Sequence, residues 1–147
     1  MSVGVNEWRI GAALALAQLQ ATVARADAGS GNSRLVFYSS PRPETLADLT
    51  GAVVLAEVVL AKPCGTVTDG VLSLQPQDAA GTLVVTAGIP RWAVWWAADG
   101  SVITDGGVTD ATADGCFRVT GGDTAEGDNS PMFYAGSLML LAGSELI

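Results

Sequence analysis

Trp92-Ala93-Val94-Trp95-Trp96-Ala97-Ala98-Asp99-Gly100-Ser101-Val102-Ile103-Thr104 is the stretch that decides the fold class. An apolar run of aromatic and β-branched residues meets Asp-Gly, a pair suited to the positive φ that tight hairpins need, and a β-branched run then returns. The reading is a β-hairpin with strands at 92–98 and 101–104. Strand alternation puts Trp92 and Trp96 on one face and Trp95 on the other, so the three cannot share one inner core.

The same grammar extends in both directions. A second Asp-Gly pair, Asp69-Gly70, separates Thr66-Val67-Thr68 from Val71-Leu72-Ser73-Leu74 and predicts another hairpin. Arg34-Leu35-Val36-Phe37-Tyr38-Ser39 reads as the first strand, ended by Pro41-Arg42-Pro43. A second strand runs over 52–61 and is expected to break at Pro63. Further strands are expected at 81–87, 116–120 and 136–141. Many short strands joined by glycine-rich turns predict a mainly β chain, an antiparallel β-sandwich with one N-terminal α-helix.

That helix is read from a change of period. Asn6 can cap it, Glu7 suits its positive end, and Arg25 suits its negative end, before Gly29 and Gly31 stop it. Trp8, Ala12, Leu16, Leu19 and Val23 fall on one face at spacings of three and four. The stripe can pack on the chain's own sheet or on another subunit. The expected organisation is residues 1–33 as helix and linker and 34–147 as the β domain, the two forming one compact unit.

Composition narrows the function. Among 147 residues there is no histidine, and 15 acidic against 7 basic residues leave a formal charge of −8. That balance argues against nucleic acid and anionic membranes, both of which reward clustered Lys and Arg. Cys64 and Cys116 lie far apart without a zinc spacing and are read as buried thiols. Asp105, Asp110 and Asp114 lie in one Gly- and Thr-rich loop, and Asp123, Glu126 and Asp128 in another. Neither matches a calcium loop, so these are read as solvated turns, with no metal and no cofactor expected. No acid, base and nucleophile set suggests catalysis. The apolar stretch 10–23 lacks a basic leader and is too short to span a bilayer, which predicts a soluble chain.

Hydrophobic residues make up 49% of the chain and charged residues 15%, so some apolar surface is expected to be covered by a neighbour. The candidate contacts are Trp8, Leu16, Leu19, Val23 and Trp95. A tryptophan left exposed on the sheet could instead serve as a sugar-stacking platform.

The helix with its Gly/Ser linker, Arg34 to Pro43, the strand Val54-Leu55-Ala56-Glu57-Val58-Val59-Leu60, and the Trp92–Gly106 hairpin together resemble small structural proteins of tailed bacteriophages. The resemblance implies a non-enzymatic virion component, either capsid decoration or tail-associated. Its implied partners are its own copies, as a homo-oligomer with a trimer favoured, and other virion structural proteins. It implies assembly in the host cytoplasm and no catalytic residues. The dense tryptophan cluster and the two cysteines depart from the pattern. A carbohydrate-binding module on a host-facing part of the particle is the alternative.

Overall fold

The computed structural model describes residue 5 and residues 8–146. In chain order the elements are α1 (Ala12–Asp27), β1 (Arg34–Tyr38), β2 (Val54–Thr68), β3 (Val71–Pro76), β4 (Thr82–Leu83), β5 (Trp92–Trp96), β6 (Val102–Asp110), β7 (Phe117–Thr120) and β8 (Leu138–Leu146). The chain is thus mainly β with one N-terminal helix. Its strands form one sheet in the order β3-β2-β1-β5-β6-β7-β8-β4. The sheet curls far enough that β3 also pairs with β8, through Leu72↔Leu146 and Ser73↔Glu145.

Both Asp-Gly hairpins form. At the first, Asp69 and Gly70 both have positive φ (52° and 78°), the primed geometry that matches strand twist, and Thr68 pairs with Val71. At the second only Gly100 does (φ 90°), and Ala97 accepts from the Gly100 N–H at 2.9 Å. This longer loop makes β5 stop at Trp96, two residues before the expected end.

Three expectations are corrected. Pro63 does not end β2: the strand runs on to Thr68, and the irregularity is confined to a register shift between Leu60 and Gly65. Proline lacks a donor, but a bulge leaves that position with no ladder bond to make. The expected strand at 81–87 shrinks to Thr82–Leu83, because the next amides turn away to other carbonyls, Val84 to Ser137 (2.9 Å) and Val85 to Leu55 (2.8 Å). The sheet is also not wholly antiparallel, since β6 and β7 run parallel.

The helix starts later than expected, at Ala12 behind Gly11, with no side-chain cap. Asn6 and Glu7, read as its first residues, lie outside the described residues. Its C-terminal end is firmly tied. Ala98 donates to the Ala26 carbonyl (2.7 Å), Lys62 Nζ donates to the carbonyls of Gly29 (2.8 Å) and Gly31 (3.0 Å), and Cys64 N–H donates to Asp27 Oδ2 (3.1 Å). The Ala26 carbonyl, left without a partner inside the helix, is thereby satisfied.

Apolar packing splits into two clusters, one on each face of β1. Inside the curl, Leu35, Phe37, Leu55, Val58, Leu72, Trp95, Phe133 and Met139 form the main core, to which α1 contributes Leu19 and Ala26. On the outer face Val36, Tyr38, Trp92 and Val94 pack under the loop 39–53, which contributes Ala47 and Ala52. The Tyr38 and Trp92 rings stack at 4.7 Å, and Trp92 Nε1 donates to Ser40 Oγ at 3.3 Å. Asp105 holds that loop down, accepting from the Ala47 N–H (2.9 Å) and from Arg42 Nη2 (2.8 Å).

Candidate functional site

The residues singled out from the sequence as contacts separate into two groups. Leu19 is buried, and Val23 packs against the same core. Trp95 is only 2% exposed, inside the curl, so it presents no surface to a partner. Trp8, 93% exposed, precedes the helix instead of lying on it, and Leu16 is 41% exposed. On the side of α1 that meets the core, Ala15, Leu19, Val23 and Ala26 are buried or half-buried, whereas Ala12 and Leu16, on the same side by helical geometry, are exposed. Leu16 lies seven residues before Val23, within about 20° of it around the helix axis, so it is the N-terminal half of the helix and not another face that is left uncovered, and Leu14 on the far side is exposed as well.

Asp105 and Asp110, read from the sequence as loop residues, lie on β6, and they and the loop carboxylates tie neighbouring segments together. Asp110 accepts from Thr112 N–H (3.0 Å), Thr112 Oγ1 (2.7 Å) and Thr124 Oγ1 (2.7 Å), which joins the two acidic loops and, with Thr124 the larger influence, lowers its pKa. Asp128 receives both terminal nitrogens of Arg91, at 2.8 and 2.9 Å, and the amides of Asn129 and Ser130. Asp99 accepts from Ser101 Oγ (2.6 Å), Ser101 N–H (2.9 Å) and Arg25 Nη1 (2.9 Å), linking the second hairpin turn to the helix. Among the described residues, no three Cys, Asp or Glu side chains come together as a metal site.

The thiols also part company. Cys64 is buried, and burial together with the Asp27 carboxylate pushes its pKa up to about 11, which makes it a poor nucleophile. Cys116, expected to be buried too, is exposed, and the two are not bonded to each other.

Concavities lie beside the helix and beside the last strand. A 350 Å³ groove between α1 and β6 is lined by Ala21, Thr22, Arg25, Val102 and Ile103. A 190 Å³ cavity near β8 includes Val58, Pro76, Asp78, Met139 and Leu140 in its wall. Each holds one charged side chain already in use: Arg25 binds Asp99 and Ser101, and Asp78 accepts from the Ala80 N–H at 2.9 Å. Neither assembles an acid–base pair.

What the fold does assemble is an apolar surface. Leu83 on β4 pairs with Leu138 on β8, and Leu140 is on the same side of β8, two residues on. Val85 follows β4, and Tyr134 is brought alongside because Gly136 donates to Val84 and Ser137 to Tyr134. These five side chains are between 43% and 63% exposed. The segments that carry them, 79–90 and 129–142, contain no charged residue. Strand readings at 81–87 and 136–141 located the segments, but only the β4–β8 pairing shows that they form one surface. The absence of charge was the available signal.

The ionic ties predict acid sensitivity. Arg91 and the Ser130 and Asn129 amides hold the Asp128 carboxyl at about 2, and Ser101, with Arg25 adding to it, holds Asp99 at about 2. Both values lie below the unfolded carboxyl near ~4, so the stabilisation is fully present above that pH and is lost as pH falls towards 2. The melting temperature should therefore drop between pH 4 and pH 2, less steeply in Asp128→Asn than in the wild type. Identical slopes would show that this tie contributes nothing, since solvent and salt already weaken exposed pairs.

No protein-family model matches this chain, and neither a characterised protein nor a solved structure is significantly similar to it.

Proposed function

We propose that this chain is a non-enzymatic structural protein that works by assembling, as a homo-oligomer and with other proteins, in a virion of the kind its sequence resembles. The observation that carries the reading is the apolar surface of Leu83, Val85, Tyr134, Leu138 and Leu140, on two segments without charged residues. Large contiguous apolar patches on an otherwise soluble chain mark interaction sites, and tyrosine and leucine at the centre of a charge-depleted patch suit a protein interface. The polar groups support the same reading from the other side. The carboxylates that could have served chemistry hold turns, and the buried thiol is unreactive.

A capsid-decoration or tail-associated role is the specific form of this proposal, and a trimer its favoured state. The carbohydrate alternative needs a flat tryptophan exposed on the sheet. Trp92 and Trp95 are buried and Trp96 is half-buried, so nothing on the sheet favours it.

Native mass spectrometry at low micromolar concentration is the test. A discrete homo-oligomer is expected. A monomer that persists on concentration would remove the basis of the proposal. Within purified particles, hundreds of copies would indicate capsid decoration, and a small multiple of three or six would indicate the tail.

A further inference from the structure

The outer face of β1 and β5 has a thin cover. Between Ser39 and Val53 the chain leaves the sheet and crosses the cluster of Val36, Tyr38, Trp92 and Val94. Of residues 41–53 none is buried, and only Pro43, Ala47 and Ala52 are half-buried. The larger apolar side chains of the loop, Leu46, Leu49 and Val53, stay 60%, 44% and 45% exposed. Its apolar hold on the aromatic cluster is therefore that of two alanine side chains, Ala47 and Ala52, whose buried area is small.

The polar ties from this loop to the sheet converge on one residue of β6. Asp105, whose side chain is 8% exposed, accepts from the Ala47 N–H at 2.9 Å and from Arg42 Nη2 at 2.8 Å, and its carbonyl accepts from the same Arg42 nitrogen at 3.4 Å. Among the described residues the other bond across is Trp92 Nε1 to Ser40 Oγ, long at 3.3 Å. The remaining bonds are internal to the loop: Asp48 N–H to the Thr45 carbonyl, Ala52 N–H to the Leu49 carbonyl, and Thr50 N–H to Asp48 Oδ1. Ser39 N–H bonds to the Val53 carbonyl and closes the base whether or not the middle lies on the sheet. The point of attachment is strained as well. Ala47 has φ 50°, in the left-handed region that is costly for a residue with a Cβ and that persists only where surrounding bonds enforce it.

We infer that residues 40–52 form a strap that opens as one unit while the sheet stays folded, and that Asp105 is the latch that keeps it shut over the Tyr38–Trp92 stack. Local opening is cheapest where buried apolar contacts are few and backbone hydrogen bonds are exposed, and the strap has both properties. Losing the Asp105 carboxylate frees Arg42 and Ala47 together and releases the strained residue. Strands β1 and β5 keep their ladders to each other and to β2 and β6, so the sheet has no reason to follow. Trp92 has no exposure under the closed strap and meets solvent only when the strap lifts.

Native-state hydrogen exchange followed by NMR tests both parts. In the wild type the Ala52 amide and the Trp92 indole N–H should show one common protection factor, well below that of the amides of β1 and β5. Asp105→Ala should speed exchange at both reporters by at least about tenfold, the change that loss of one hydrogen bond to a charged group produces. The amides of β1 and β5 should exchange as before. Unrelated protection of Ala52 and Trp92 in the wild type would show that no single unit opens, and this outcome needs no variant. Unchanged exchange at the two reporters in Asp105→Ala, or strap and strand amides accelerating together, would equally overturn the inference.

Discussion

Trp95→Ala is expected to destabilise the protein by about 3–5 kcal/mol, the usual cost of deleting a buried aromatic side chain. Trp95 is among the largest fully packed groups inside the curl, in the same cluster as Leu35, Phe37 and Leu19. Its loss would leave a cavity that strands and helix cannot both collapse into. Domains of this size carry a net stability of about 5–15 kcal/mol, so the variant should be partly unfolded near physiological temperature. The conservative variant separates packing from polarity. Trp95 Nε1 is buried without a hydrogen-bond partner, and an unpaired buried donor costs about 1–3 kcal/mol. Trp95→Phe removes that donor and keeps a ring, so the two effects oppose and the stability should stay within about 1 kcal/mol of wild type. Urea denaturation followed by circular dichroism measures both. A Trp95→Phe loss as large as that of Trp95→Ala would mean that the indole N–H has a partner.

The second large effect discriminates between neighbouring leucines of α1. Leu19→Ala should cost about 2–5 kcal/mol, because Leu19 is buried within the main core cluster. Leu16→Ala should change the stability of the isolated chain by about 0.5 kcal/mol or less, because Leu16 is exposed and alanine is the better helix former. The reading that placed both on one core-facing stripe gave them equal weight. Equal losses at the two positions would restore that reading.

Much of the architecture was legible because it is local. The Asp-Gly pairs place both hairpins, since the requirement for positive φ is satisfied within two residues. Arg34–Tyr38 and Phe117–Thr120 are strands close to where β-branched and aromatic composition puts them. The split of the tryptophans across the sheet followed from the period of two: Trp92 and Trp96 join the outer cluster and Trp95 the inner. What that period could not reveal was that both faces are covered. The outer cluster is buried by loop 39–53, held by Asp105 and Arg42, a contact between residues more than fifty positions apart.

The candidate surface was less legible. Low charge and high apolar content pointed to a covered face without locating it. Of the residues named as contacts, Trp8 and Leu16 are exposed, while Leu19, Val23 and Trp95 belong to the chain's own core. A helical stripe shows which residues share a side, but how much of its length meets the sheet depends on where the helix is anchored. Here the anchor is the run of bonds from Arg25 and Ala26 to the second hairpin turn, together with Asp27 to Cys64.

By itself the sequence determined where most of the strands fall, the hairpin turns, the single helix and the excess of apolar over charged residues, because each depends on residues within a few positions of one another or on composition alone. Tertiary structure alone decided how the strands close into one curled sheet, including the parallel β6–β7 pair and the continuation of β2 through Pro63. It also decided which apolar side chains are left outside. Those outcomes are set by long-range pairing, in which Leu83 meets Leu138 across more than fifty residues, and such a choice is made by the packing of the whole core and not by any local propensity.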